Sequence, residues 1–207
     1  MRVKSLVILV LSFLIISGCA TLPDSGTADK MTKYEIAGDH AIGSPDADIT
    51  IAVYFSPTCS HCANWHKTIF PRLRADYIDT GKVRFIYREF PTPPVRLAEA
   101  GLMIARCADE EKYFENIERQ FEQWDSLVVS ARNGKAKAAY TQLAQDSGLS
   151  KDEFNQCLAN EEEYEAMEKA VKLGVEKGIS AVPTLIINGE IAKVYTYDEI
   201  ETYLSKL

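Results

Sequence analysis

The chain has 207 residues, of which 46% are hydrophobic and 26% charged, which is enough for one domain with a proper core and ordinary for a globular protein. The formal net charge is −7, and it becomes more negative still if Met1 to Gly18 is removed, because that piece holds Arg2 and Lys4 and no acid. An acidic balance with no long basic run and no basic–aromatic interleaving argues against nucleic acid as a partner.

Arg2 and Lys4 precede an apolar stretch from Ser5 to Ile16. That stretch is shorter than the roughly 20 residues of a transmembrane helix and suits an export signal. Ile16-Ser17-Gly18-Cys19 follows and resembles the bacterial lipobox. The resemblance implies a lipoprotein signal peptide over 1–18, cleavage before Cys19 and lipidation of Cys19. Three acyl chains would hold the protein firmly, since a single chain binds only marginally. Ala20 after that cysteine, rather than Asp, implies sorting to the outer membrane in a Gram-negative source. Residues 19–33 are small, polar and turn-rich and read as a flexible tether.

From Tyr34 to Leu207 the chain reads as a single domain. Tyr34 to His40 is expected as a short strand, and Gly43-Ser44-Pro45-Asp46 as a turn. Ile49 to Phe55 is rich in β-branched and aromatic residues and reads as a buried strand, broken by Ser56-Pro57-Thr58. Cys59-Ser60-His61-Cys62 comes next, and then apolar residues recur at helical spacing up to Gly81. A Cys-x-x-Cys pair therefore stands where a strand ends and a helix begins. The unpaired N–H groups and positive dipole end of a first helical turn stabilise an anion, so Cys59 is expected to form a thiolate more readily than a free cysteine. Cys62 lies one turn further in, close enough to close a small disulfide ring. The pair reads as a thiol–disulfide redox site.

Lys82 to Phe90 alternates Val83, Phe85 and Tyr87 as a strand, ended by Pro91, Pro93 and Pro94. Helical periodicity then dominates to Gly178, with helices expected over Leu97–Ala108, Tyr113–Trp124, Ala136–Ser147, Lys151–Ala159 and Tyr164–Lys177. Ser150 with Glu153 forms a capping box, and Gly148 and Gly178 stand as helix stops. Thr184–Ile187 and Ile191–Val194 read as strands joined by an Asn188-Gly189 hairpin turn, followed by a helix from Asp198 to Leu204.

This order, with Phe55-Ser56-Pro57-Thr58-Cys59-Ser60-His61-Cys62, Arg88-Glu89-Phe90-Pro91, Ala105-Arg106-Cys107-Ala108 and Val182-Pro183-Thr184, resembles the DsbA-like thiol–disulfide oxidoreductases of the thioredoxin superfamily. The resemblance implies an α/β thioredoxin fold with a large helical insertion at about 95–178. It implies a cis bond before Pro183, which packs beside the cysteines, and a backbone contact from Val182 to a substrate peptide. It further implies dithiol oxidation of unfolded or reduced exported proteins by a monomer, with a quinone-linked membrane oxidase restoring the Cys59–Cys62 disulfide. No cofactor beyond that disulfide is expected.

His61 between the cysteines is expected to lower the Cys59 pKa by hydrogen bond or charge, and so to make the disulfide more oxidising. His66 reads as facing solvent or capping the packing, and His40 has no evident partner. One departure from the family pattern is Val53, which stands six residues before the first cysteine, where a buried acid often serves the second cysteine's proton. With Cys19 lipidated, four cysteines remain and three connectivities are possible. With 59–62 as the redox pair, 107–157 is the remainder, closing a loop worth about 4 kcal/mol in the chain-entropy model. The competing readings are a disulfide isomerase or reductase of the same fold, a metal site at Cys59, His61, Cys62 and His66, and a lipid-anchored chaperone with an inactive pair.

Overall fold

The computed structural model describes residues 31–207, so the proposed signal peptide, Cys19 and most of the tether lie outside the described residues. A five-stranded mixed sheet runs in the order β1-β3-β2-β4-β5. Its strands are β1 (His40–Ile42), β2 (Ile49–Phe55), β3 (Val83–Glu89), β4 (Thr184–Ile187) and β5 (Glu190–Ala192). β2 lies at the centre, parallel to β3 and antiparallel to β4. It is covered on both faces, which is why its sequence is a continuous apolar run rather than an alternating one. This is the thioredoxin-type α/β fold that the order of elements implies.

On one face, Ile51, Val53 and Phe55 pack with Trp65, Phe70 and Leu73, and with Tyr197, Ile200 and Leu204 of the terminal helix. On the other face, Ala52, Tyr54 and Ile86 meet Ile179 and Ile186. Gly174 lets its helix approach this second face closely, because a Cβ there would stand 2.7 Å from the Tyr54 ring. The strand pair β4–β5 turns on Asn188 and Gly189, whose φ values of 48° and 88° are those a two-residue primed turn requires. Among the described residues, no helix is long and apolar enough to cross a membrane.

The helix carrying the cysteines does not run unbroken to Gly81. It forms α1 (Ser60–Thr68), then α2 (Phe70–Leu73), then one π turn over Arg74–Ile78. Pro71 explains the break, since it has no N–H to donate to the carbonyl of Lys67. The remaining helices are α3 (Val95–Cys107), α4 (Tyr113–Glu122), α5 (Trp124–Arg132), α6 (Ala136–Asp146), α7 (Lys151–Cys157), α8 (Glu161–Glu176) and α9 (Tyr197–Leu204). Helix α5 is absent from the sequence reading. It buries only Leu127, so its periodicity is faint. A separate small core of Ile104, Leu127, Tyr140, Leu143, Ala144 and Phe154 holds α3, α5, α6 and α7 together. A disulfide joins Cys107 and Cys157 at the ends of α3 and α7, with Cα atoms 5.9 Å apart.

Tyr34–Asp39 is not a strand, and pairing begins only at His40. Its acids fold the segment into turns instead. The Asp39 carboxylate accepts from the N–H of Ile36, and that of Glu35 from the N–H of Thr32. Both also pair with arginines of β3, Asp39 with Arg88 and Glu35 with Arg84. A third buried arginine, Arg106 of α3, donates to Glu89, which also accepts from the Tyr113 hydroxyl at 2.8 Å. His40 stacks flat on Tyr113 at 3.9 Å and is therefore not partnerless. Burial first, and then the charge of Arg106, hold its pKa down at about 4.

Candidate active site

Cys59 occupies the N-cap position of α1 with extended backbone, and Cys62 sits in the first turn. Both are free thiols, Cys59 half-buried and Cys62 buried. No acid stands in that first turn to compete for its N–H groups. The loop before Cys59 is fixed by short polar side chains. Ser56 Oγ accepts from the N–H of Thr92 and lies 3.0 Å from Thr58 Oγ1, which donates to the Thr92 carbonyl. The N–H of Cys59 itself donates to the Ser56 carbonyl at 3.1 Å. The sequence marks Ser56-Pro57-Thr58 as a strand break and as part of the family motif, but not as the loop's anchor. The pairing with Thr92 depends on the loop after β3, which no local pattern reveals.

The peptide bond between Val182 and Pro183 is cis. The Val182 carbonyl stands 3.5 Å from the Cys59 sulfur and accepts from it when Cys59 is protonated. A groove of about 350 Å³ opens here between α1 and the Pro183 loop, lined by His61, Trp65, Val182, Pro183 and Tyr195, among others. Tyr195, 72% exposed, stands at its rim.

The two sulfurs differ sharply in acidity. A hydrogen bond from the Cys62 thiol is the largest influence on Cys59. The N–H groups of Cys62 and His61 add to it, and the charge of His61 contributes least. Together they outweigh burial and bring the Cys59 pKa down to about 6. For Cys62 the same hydrogen bond, then burial, then the neighbouring Cys59 charge push the thiol far up. Cys59 is therefore much the more acidic of the two sulfurs, and the one equipped for nucleophilic attack.

His61 is exposed beside the groove, whereas His66 is buried. The expectation that His66 faces solvent is therefore corrected. It lies one turn after Cys62 on the inward face of α1, between the rings of Phe70 and Phe121, and its Nδ1 stands 2.7 Å from the Tyr87 hydroxyl. The i, i+4 relation to Cys62 was the available signal. With His66 turned inward and His61 outward, the four Cys and His side chains do not converge on one point. Among the described residues, no group of three or more His, Cys, Asp or Glu side chains is arranged to hold a metal ion.

Comparison with known proteins agrees with this arrangement. The family model described as Thioredoxin matches residues 35–206. A putative protein-disulfide oxidoreductase of Rickettsia conorii is 32% identical over 185 residues, covering 86% of this chain and 64% of that protein. The chain thus spans less than two thirds of that relative's length. Disulfide bond formation protein D of Bacillus subtilis is 24% identical over 177 residues, covering 83% of this chain and 78% of that protein. Among solved structures, α-DsbA1 of Wolbachia pipientis superposes with a TM-score of 0.75 at 28% identity, covering 84% of this chain and 93% of that one. By its family match, its fold and the geometry around Cys59, the chain belongs to the thioredoxin family as a DsbA-like member.

Proposed function

We propose that this protein is a thiol–disulfide oxidoreductase of the cell envelope that introduces disulfides into exported proteins. The observation that carries this reading is the unequal cysteine pair: an acidic, half-buried Cys59 beside the Val182 carbonyl, with Cys62 shielded behind it. Stabilising the Cys59 thiolate favours the reduced enzyme and makes the Cys59–Cys62 disulfide a stronger oxidant. A substrate thiolate attacks Cys59 in the oxidised enzyme, forming a mixed disulfide and expelling Cys62. A second substrate thiol then displaces Cys59. The substrate leaves oxidised, and both enzyme cysteines are left reduced. Val182 offers its backbone to the substrate chain beside Pro183, and His61 borders the reacting sulfur.

On this reading the pair itself is the only redox group required, with no metal and no separate cofactor. The partners are reduced exported proteins and a quinone-linked membrane oxidase that takes up the two electrons. The protein works as a monomer, held at the membrane by lipid on Cys19 and facing the periplasm, at the outer membrane if the source is Gram-negative. Cys19→Ala should then release it from membranes without changing its thiol chemistry, and continued membrane partitioning would count against the anchor.

The deciding measurement is the reduction potential of the 59–62 pair in glutathione buffer. A value near the roughly −120 mV of strong oxidants supports an oxidase, and one near the roughly −270 mV of thioredoxin would make the protein a reductase.

A further inference from the structure

Near Cys59 there is a cavity besides the groove at Pro183. It has a volume of about 240 Å³, shares no residue with that groove, and opens between α3, α5 and α6. Pro57 and Thr58 form its wall towards the cysteines, and Leu97, Trp124 and Leu127 form much of the rest. Thr58 directly precedes Cys59, so this wall is one residue from the reacting sulfur.

The walls are apolar, yet three donors around them lack acceptors. Tyr140 of α6 lines the cavity, is 6% exposed, and its hydroxyl has no hydrogen-bond partner among the described residues. Burial keeps the phenol neutral, with its pKa raised to about 12, so the O–H is retained. The buried indole N–H of Trp124 is likewise unpartnered. Arg132, exposed at the end of α5, has no carboxylate paired with it among the described residues. Buried donors without acceptors cost stability, and a ligand that brought an acceptor would recover it. The group that satisfies this lining has an apolar body and an anionic acceptor beside it.

Size and position narrow the occupant. An apolar cavity of about 150 Å³ holds a benzene ring, so this one takes a single large side chain rather than a folded segment. A chain bonded to Cys59 through its own cysteine passes the Thr58 wall. Residues two to four positions from that cysteine lie roughly 7–13 Å away along an extended chain, within reach of the cavity.

We propose that this cavity is a docking subsite for substrate proteins, taking a large apolar or aromatic side chain near the reacting cysteine, with an adjacent Asp or Glu meeting Arg132. This rests on the oxidoreductase reading above and adds to it a preference among exported proteins. The backbone contact at Val182 reads no side chain, so the selection made here is separate from it.

The test uses the oxidised protein and short single-cysteine peptides, with phenylalanine and glutamate placed together two, three or four residues to either side of the cysteine. Excess peptide opens the Cys59–Cys62 disulfide, and acid quenching with mass spectrometry gives the rate. At one of these placements the Phe-Glu peptide should react about tenfold faster than its Ala-Ser counterpart, the gain expected for burying one large apolar side chain. Ala131→Leu, which fills the cavity from α5, should bring that ratio close to one. Arg132→Glu should reverse the order of Phe-Glu and Phe-Lys peptides, and it serves alone if Ala131→Leu folds poorly. Comparing two peptides on one protein cancels any general loss of activity. Equal rates for all peptides on the wild-type protein, or wild-type ratios in the variants, would overturn the subsite. So would a dimer that Ala131→Leu dissociates while the ratios hold, since the cavity would then belong to a second copy. A disulfide that no peptide opens would instead overturn the oxidoreductase reading.

Discussion

The Cys59 sulfur lies 3.5 Å from the carbonyl oxygen of Val182, although 123 residues separate them in sequence. One sulfur of the pair is thus placed against the backbone carbonyl beside the cis proline, and the other is buried behind it. Cys62→Ala should trap substrates as mixed disulfides on Cys59, and Cys59→Ala should trap almost none. Non-reducing gels with and without dithiothreitol distinguish the two. Trapping on Cys62 would reverse the assignment of nucleophile and resolving cysteine.

The same Cys62→Ala change should raise the Cys59 pKa well above about 6, because the Cys62 thiol is its largest stabilising neighbour. His61→Ala should raise it by less, since the His61 charge contributes least, and should make the disulfide less oxidising. Thiolate absorbance at 240 nm against pH gives both midpoints. A larger effect from His61→Ala would reverse the order of causes.

Acidity at Cys59 also sets how stability follows pH. Its pKa is lowered on folding from 9.0 to about 6, so the folded reduced state binds its proton less readily than the unfolded chain. The resulting stabilisation is complete above pH 9, fades as pH falls, and is gone below about 6. The oxidised form has no thiolate and lacks this dependence. The melting temperature of reduced minus oxidised protein should therefore grow from pH 6 to 9; a flat difference would remove the thiolate from the account.

Replacing Cys107 and Cys157 together by alanine opens a loop with a sequence separation of 50. The expected loss is up to about 4 kcal/mol in the chain-entropy model, read by urea unfolding, with oxidation of a model peptide retained at temperatures where the variant is folded. Loss of peptide oxidation in a folded variant would give this disulfide a part in the chemistry.

Glu89→Ala should be more damaging than its distance from the cysteines suggests. It strips Arg106 and Tyr113 of a shared acceptor in a site where all three side chains are buried. Leaving a buried arginine short of its partner costs about 3–5 kcal/mol, and Glu163, more exposed, replaces only part of it. Denaturant midpoints measure the loss, and a change under 1 kcal/mol would show that Glu163 suffices.

Much of this architecture is legible locally. The apolar run Ile49–Phe55, the Cys-x-x-Cys at its end, Val182-Pro183-Thr184 and the Asn188-Gly189 turn each carry their chemistry within a few residues. What the sequence reading missed depends on distant partners. Glu35 and Asp39 look compatible with a strand until Arg84 and Arg88 draw them into turns. Ser56 and Thr58 need Thr92, and His40 needs Tyr113. His66 is the instructive case. Its spacing from Cys62 is that of the inward stripe of α1, yet the sequence reads it as facing solvent, because a histidine enters a core only when a group such as the Tyr87 hydroxyl is waiting there.

The bond between Cys107 and Cys157 makes this protein a client of the reaction proposed for it. Two thiols became one disulfide with the loss of two electrons and two protons, and a new chain cannot supply that acceptor from its folded core. Each copy must meet an outside oxidant before it is finished, because its own Cys59 and Cys62, once reduced, cannot serve as that acceptor. A molecule made where oxidant is scarce would wait with Cys107 and Cys157 open, and the small core that α3 and α7 share would lack the tie that holds their ends together.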